Sequence, residues 1–261
     1  MKIVVCVKQV PETTEVKINP ETNTLIREGV ASIINPFDMY AVEEAIRIKE
    51  KVGGTVTILS MGPPQVAESL RELIGMGADE AVLLSDRAFA GSDTLATSYA
   101  LARGIEKIGE VQLVICGKQA IDGDTAQVGP EIAENLGLSH VTYVKKVNEI
   151  SEEQLVVERM TEEGYEWVQT SLPALITVVK EINEPRLPSL KGMMRAKKAE
   201  IPIWSAETIQ ADPAKIGLKG SPTWVQKIFI PDIKCEGQIF EGEPEDQVKS
   251  LVEAFLHHKV V

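Results

Sequence analysis

Apolar runs of strand length alternate with amphipathic stretches over the first two thirds of the chain. Residues 2–7, KIVVCV, form a nearly unbroken apolar run, the pattern of a strand buried on both faces. NPFDMYAVEEAIRIKEK follows at residue 35. Asn35 suits a helix cap, Pro36 the first position and Asp38 the first turn, while Val42, Ala45, Ile46 and Lys49 share one face at helical spacing. TVTILSMG (55–62) reads as a second strand, PPQVAESLRELIGMG as a helix begun by proline and ended by glycine, and ADEAVLLS (78–85) as a third strand. DTLATSYALARGIEKIG is a further helix, VQLVICG (111–117) a fourth strand, PEIAENLG a helix and HVTYVKKV a fifth strand.

This alternation predicts an α/β domain, a doubly wound and mostly parallel sheet of Rossmann-like type, over residues 1 to about 180, because right-handed crossovers leave few other arrangements. Ligands of such sheets bind beyond the carboxyl ends of the strands where the winding reverses. With strand order 3-2-1-4-5, that crevice lies between Cys6–Val10 and Gly117–Gln119. LVVERMTEEGYEWVQTSLPALITVVKEI (155–182) reads as two or three strands of an added β-hairpin region around the turn TEEG. From Asn183 periodicity is lost: NEPRLPSLKGMMRAKKAEIPIW carries three prolines and five basic residues. The tail holds a strand-like WVQKIFI and a final helix PEDQVKSLVEAFLHH, an irregular arm expected to wrap a partner subunit. The expected division is therefore 1–182, a nucleotide-binding domain including the hairpin, then a basic segment over 183–206, then a C-terminal arm over 207–261.

Composition narrows the function. The net charge of −12 repels polyphosphate backbones and argues against a nucleic-acid partner. Cys6, Cys116 and Cys235 are odd in number and at no ligand spacing, and suit buried thiols in a reducing compartment. His140, His257 and His258 make neither a metal cluster nor a triad, so no metal site and no catalytic residue is expected. The opening apolar stretch is too short for a signal peptide or a membrane span, which leads us to expect a cytoplasmic protein without membrane insertion.

The candidate chemistry lies in GKQAIDGDTAQVGPEIAENLG (117–137), which matches no P-loop and no G-x-G-x-x-G. Pro130 has no N–H and fits only a first helical turn, which puts the cap near Gln127 to Gly129 and leaves the amides of Ala126 through Gly129 unpaired. A helix start at a strand's carboxyl end is an anion site, with Thr125 and Gln127 as side-chain donors and Asp124 to orient the loop or meet a ribose hydroxyl. The same residues also suit an ordinary capped loop. GSDTLATS (91–98) and NPFD likewise read either as caps or as crevice walls. Lys8 and Lys118 are the cations expected there.

These residues resemble the beta subunit of electron-transfer flavoproteins over nearly the whole chain. VERMTEEGYEWVQTSLPALITV (157–178), NEPRLPSLKGMMRAKK, VKQVPET, INPFDMYAVEEAIRIKE and GKQAIDGDTAQVG match that family in order and spacing. The resemblance implies an adenine-nucleotide-binding domain paired with an alpha subunit that carries its own FAD. It implies FAD in this chain's crevice for members that bifurcate electrons from NADH, or AMP for members that only relay them. RAFAGSDTLATSYALA is similar to the flavin-type members, and MGPPQ (61–65) is the implied NADH contact. The nucleotide-site residues carried over are Cys6, Lys8, Asn35, Asp38, Met61, Ser92, Asp93, Thr94, Thr97, Asp122, Gly123, Asp124, Thr125, Gln127, Val128 and Gly129. Leu190, Lys191, Met193, Met194 and Arg195 match the family's partner-recognition loop, whose leucine enters a dehydrogenase. An acyl-CoA or related dehydrogenase and a ferredoxin or flavodoxin are the implied acceptors. Any NADH-oxidising activity would belong to the complex.

Overall fold

The computed structural model describes residues 1–12, 32–226 and 237–259. β1 (Lys2–Val7) runs parallel to β4 (Thr55–Met61) on one side and to β6 (Leu113–Gly117) on the other, with Val5 in register with Ile58 and Ile115. Its side chains alternate between two helical layers. Ile3 and Val5 join α1 (Pro36–Val52) and α2 (Val66–Met76), whereas Val4 and Cys6 join α3 (Thr94–Ile108) and α4 (Val128–Leu136). A strand covered on both faces has to be apolar at every position, which is why KIVVCV shows no period of two. β2 (Gln9–Pro11) and β3 (Ser32–Ile34) pair antiparallel in a separate ribbon.

The main sheet adds β5 (Glu80–Leu84) beyond β4, and the order around β1 agrees with the expectation that winding reverses between β1 and β6. One strand differs. Ala174–Val178, expected in the hairpin region, is β10 and inserts between β6 and β7 (Ser139–Ile150), parallel to both. All five of its residues are buried, and an unbroken apolar run fits a central strand better than a half-solvated hairpin. The hairpin is β8 (Gln154–Met160) with β9 (Tyr165–Ser171), antiparallel to the far half of β7. The two-residue β11 (Ile203–Trp204) completes the opposite edge beside β5.

A second difference lies in the basic segment, which contains α5 (Leu190–Lys198). The Ser189 hydroxyl caps it by accepting from the Gly192 amide at 3.0 Å, and Ala196 alone is buried, so no apolar period marked it in the sequence. The chain packs as one unit from Met1 to Gln226. Ile209 and Ile216 are buried in the α3 layer, and α6 (Gly217–Gly220) comes directly after them. Lys227–Val261 forms a separate unit whose helix, α7 (Pro244–His257), buries none of its residues. Trp224 to Gln226 of WVQKIFI have no regular structure; the rest of that stretch and Cys235 lie outside the described residues. Among the described residues no helix is long and apolar enough to cross a membrane.

Candidate functional site

Three backbone segments meet where the winding reverses, and two buried side chains join them. Asn35, fully buried, donates its amide to the Gln119 carbonyl at 2.8 Å and accepts from the Ile121 amide at 3.2 Å. Its own N–H donates to the Lys8 carbonyl at 2.8 Å. Asp38, in the first turn of α1, accepts from the Lys8 amide at 2.7 Å, and the Asn35 side chain and the Gly117 amide also donate to it. Both residues thus turn their polar atoms into the loop backbones after β1 and β6. Their effect on a ligand passes through those loops.

Burial pushes the Asp38 carboxyl up to about 7, although Lys8, Asn35 and Gly117 pull the other way. Between about pH 4 and pH 7 the folded chain therefore holds a proton that the unfolded chain releases, and stability falls as pH rises through this window. Asp38→Asn should flatten that slope. Urea unfolding of the variant and the parent at pH 5 and pH 7.5 tests it, and two parallel profiles would show that Asp38 titrates normally.

The loop after β6 has an unusual backbone course. Asp124 and Ala126 adopt left-handed φ values of 53° and 54°, and Gln127 returns to right-handed φ −96°, ψ −36° as the N-cap of α4. Left-handed and right-handed residues in succession turn neighbouring N–H groups to one side, forming a concave nest for an anion. No described residue accepts from the amides of Thr125, Ala126, Gln127, Val128 or Gly129. Gly129 is buried against Thr177 of β10, which seats this turn on the sheet. Gln119 bonds to Asp124 and so braces the loop internally.

Lys8 reaches across to Asp122 at 2.6 and 2.8 Å, tying the β1 loop to the β6 loop, and both side chains are solvent-accessible. Such a pair is worth about 0–1 kcal/mol. Lys8→Ala should accordingly leave the unfolding midpoint within about 2 °C of the parent, and a larger drop in calorimetry would give the pair a structural role. Gly123, beside Asp122, is exposed at the loop tip. Cys6 and Cys116 lie in register on β1 and β6, buried on the α3 and α4 side. A hydrogen bond with Cys6, together with burial, pushes the Cys116 thiol well up, so both act as packed apolar groups.

The start of α3 divides its residues between two tasks. The Ser92 hydroxyl donates to the Phe89 carbonyl at 2.8 Å and accepts from the Gly217 amide at 3.0 Å. Asp93 caps α3 by accepting from Ala96 at 3.1 Å, and holds the Thr223 amide at 3.1 Å and hydroxyl at 2.8 Å. These two residues fasten the segment 217–223. Thr94 instead faces α4, with its hydroxyl 3.2 Å from both Gln127 and Glu131, and Thr97 lies one turn later. Met61 ends β4 at the edge of the α3 layer, and Gly62 after it donates to the Leu84 carbonyl at 3.0 Å.

Four neighbours of the site were not legible in the sequence. Tyr143 takes a left-handed φ of 60° at a bulge in β7, a conformation costing about 1–2 kcal/mol. Its amide donates to Thr177 at 3.1 Å, and the Lys118 ammonium lies 5.1 Å from its ring centre. Ser60 Oγ and Glu131 Oε2 are buried without a partner among the described residues. Hydrophobic pattern carries no information on any of these, because each depends on what the fold brings alongside.

Of the recognition-segment residues, Leu190, Lys191, Met193 and Met194 are exposed on α5, with Leu190 at 78%. Arg195 is exposed as well, but its guanidinium reaches back to α2 and donates to the carbonyls of Ile74 and Ala78. The preceding strap is held by Arg186, which pairs with Glu43 and Glu50 of α1. Among the described residues no cluster of histidine, cysteine or carboxylate side chains could hold a metal ion.

Residues 22–209 match the family described as "Electron transfer flavoprotein domain". The chain is 54% identical over 262 positions to the electron transfer flavoprotein subunit beta of Thermoanaerobacterium thermosaccharolyticum, an alignment covering 100% of both. It is 50% identical over 260 positions to the caffeyl-CoA reductase-Etf complex subunit CarD of Acetobacterium woodii, covering 99% of each. With protein FixA of Azotobacter vinelandii it shares 47% identity over 263 positions, 98% of this chain and 93% of that one.

Proposed function

This chain belongs to the electron transfer flavoprotein family as a beta subunit, and from that premise we propose that it forms a heterodimer with an alpha subunit and holds FAD in the crevice between β1 and β6. In this reading electrons from NADH pass onward to a dehydrogenase and to a low-potential acceptor such as ferredoxin or flavodoxin. The observation that carries it is the row of unpaired amides from Thr125 to Gly129 at the reversal of winding. Two left-handed residues ahead of a helix start suit a pyrophosphate, since backbone donors supply charge complementarity without a cluster of lysines.

Bound FAD would supply hydride acceptance and one-electron transfer, and the protein's part is orientation and local electrostatics. The amides of α4 hold phosphate oxygen, Thr94 and Thr97 line the side toward α3, and the Met61–Gln65 turn leading into α2 is the side from which NADH approaches. No side chain is assigned as acid or base. One relative is named as a subunit of a caffeyl-CoA reductase-Etf complex, which accords with an acyl-CoA or related dehydrogenase as one acceptor.

One observation favours the alternative of a structural AMP and a simple relay: Ser92 and Asp93 spend their side chains on the segment 217–223, leaving fewer polar groups for the part of FAD that AMP lacks. Mass spectrometry of nucleotides extracted from the heterodimer separates the two. Two FAD per pair supports bifurcation, whereas one FAD and one AMP rejects it. The exposed stripe of Val248, Leu251, Val252 and Phe255 on α7, spaced along one helical face, is proposed to rest on the alpha subunit.

Leu190 is proposed to enter the dehydrogenase. Replacement by Ala should slow electron transfer to an acyl-CoA dehydrogenase about tenfold or more, as loss of an apolar anchor does, while the extracted nucleotide stays the same. An unchanged transfer rate would remove Leu190 from the docking surface.

A further inference from the structure

We propose that Arg195, together with the glycine pair Gly75 and Gly192, is the clasp that sets the position of the docking helix α5, and that Arg195, although exposed on the flank of this helix, acts by holding α2 and not by contacting the partner. The inference rests on the docking reading of Leu190. Its basis is the way α5 sits on α2.

The backbones of the two helices meet at Gly192 and Gly75. A Cβ on Gly192 would collide with the Gly75 carbonyl oxygen and come within 3.0 Å of its carbon, and the side chains of Pro188 and Ala196 lie 3.4 and 3.8 Å from where a Cβ on Gly75 would stand. Side-chain-free contact of this kind brings helices unusually near and fixes their sliding register, because any added methyl meets main chain that cannot rotate away.

Arg195 completes the joint. α2 ends at Met76, and near its carboxyl end the Ile74 carbonyl accepts from the Gly77 amide at 3.2 Å, with room for a second donor. One nitrogen of the Arg195 guanidinium donates to the Ile74 carbonyl at 2.8 Å and to the Ala78 carbonyl at 2.5 Å, placing a positive charge at the negative end of that helix. Arg71 on α2 answers by donating to the Ala199 carbonyl just past the end of α5, at 3.3 Å. Each helix thus holds the other's carboxyl end. On the far side of α5, Leu190 and Met194 stand free. The side chain next to the exposed Met194 therefore reaches toward α2, the side on which Ala196 is buried.

A clasp predicts changes that a partner contact does not. The heterodimer with its alpha subunit is assayed for electron transfer to an acyl-CoA dehydrogenase, and amide hydrogen exchange is followed over residues 190–199. Arg195→Ala is expected to raise the KM for the dehydrogenase about tenfold with kcat within twofold, and to speed exchange across α5 about tenfold; Arg195→Lys should recover part of both. Leu190→Ala should raise KM while leaving exchange as in the parent. Gly192→Ala should reproduce the Arg195→Ala pattern by wedging the joint. A raised KM for Arg195→Ala with unchanged exchange would make Arg195 a direct partner contact and overturn the clasp, as would the absence of any change. If Leu190→Ala leaves KM unaltered, the docking reading fails by itself, and the exchange rates of Arg195→Ala and Gly192→Ala still decide the clasp.

Discussion

Gly117→Ala is expected to lower the unfolding midpoint of this chain by about 5–10 °C and to strip the crevice of nucleotide. Gly117 is the last residue of β6, and α1 begins directly against it. A Cβ there would lie 2.7 Å from the Phe37 carbonyl carbon and 2.8 Å from the Asp38 nitrogen, and closer still to a carboxylate oxygen of Asp38. Two of these atoms are main chain, so relief requires moving the start of the helix. Overpacking of a core costs about 1–3 kcal/mol, and this position belongs at the upper end, which in a chain of this size corresponds to the stated range of temperature. The same shift would pull Asp38 from the Lys8 and Gly117 amides and carry Asn35 away from Gln119 and Ile121. Scanning calorimetry and the nucleotide content of the purified heterodimer measure the two effects separately. A parent-like midpoint would mean that α1 can retreat without cost.

Arg186→Met should destabilise the chain by about 2–4 kcal/mol at pH 7, somewhat less than the roughly 3–5 kcal/mol for breaking a buried pair, because Glu43 keeps Arg47 as a partner. Glu43 of α1 is only 2% exposed, and Arg186 donates to it at 2.8 and 3.1 Å while also holding Glu50 at 2.6 and 3.0 Å. Burial by itself would raise the Glu43 carboxyl, but the hydrogen bonds of Arg186 and Arg47 hold it below the ordinary value. A depressed carboxyl contributes stability above its unfolded pKa, and that contribution is lost as pH falls through the folded value. The gap between Arg186→Met and the parent should therefore be widest near pH 7 and narrow toward pH 4. Adding Glu43→Gln to the variant should recover part of the loss, since it removes the stranded charge. Denaturant titrations across this pH range would sink the argument if the gap were constant. The strap also positions the helix after it: Asn183 donates to the Tyr40 carbonyl and to Glu44, both at 3.0 Å, so residues 183–187 lie fixed along α1 before the chain enters α5.

Much of the architecture was legible because burial on two faces leaves a signature that few other arrangements share. The runs KIVVCV, TVTILSM and LVICG became β1, β4 and β6, and the loop after the last of them lies where the winding reverses. Pro130 placed the start of α4 near Gln127 for a reason local to its own missing N–H, and Gln127 is the cap. The segment ALITV was readable as a strand but not as the neighbour of β6, since pairing partners are chosen by what else needs cover. α5 was invisible for the complementary reason: it buries a single alanine and meets α2 through the backbone of its one glycine, and so shows no apolar stripe.

Side-chain direction was the harder part. Asn35, Asp38, Ser92, Asp93 and Arg195 were selected by residue type, and in the structure their polar atoms go mainly to backbone groups of other segments. A polar residue at a loop or helix end can face a ligand or a neighbouring chain segment with equal local fitness, and its type does not distinguish these outcomes. The amino-acid order by itself determined the alternating layers, the place where the winding reverses and the amide-rich turn, because periodicity and proline act over a few residues. Only the tertiary structure decided which carbonyl Arg195 meets, where β10 inserts and why Tyr143 bends backward, because each depends on groups brought together from distant parts of the chain, and it is packing, not local preference, that brings them.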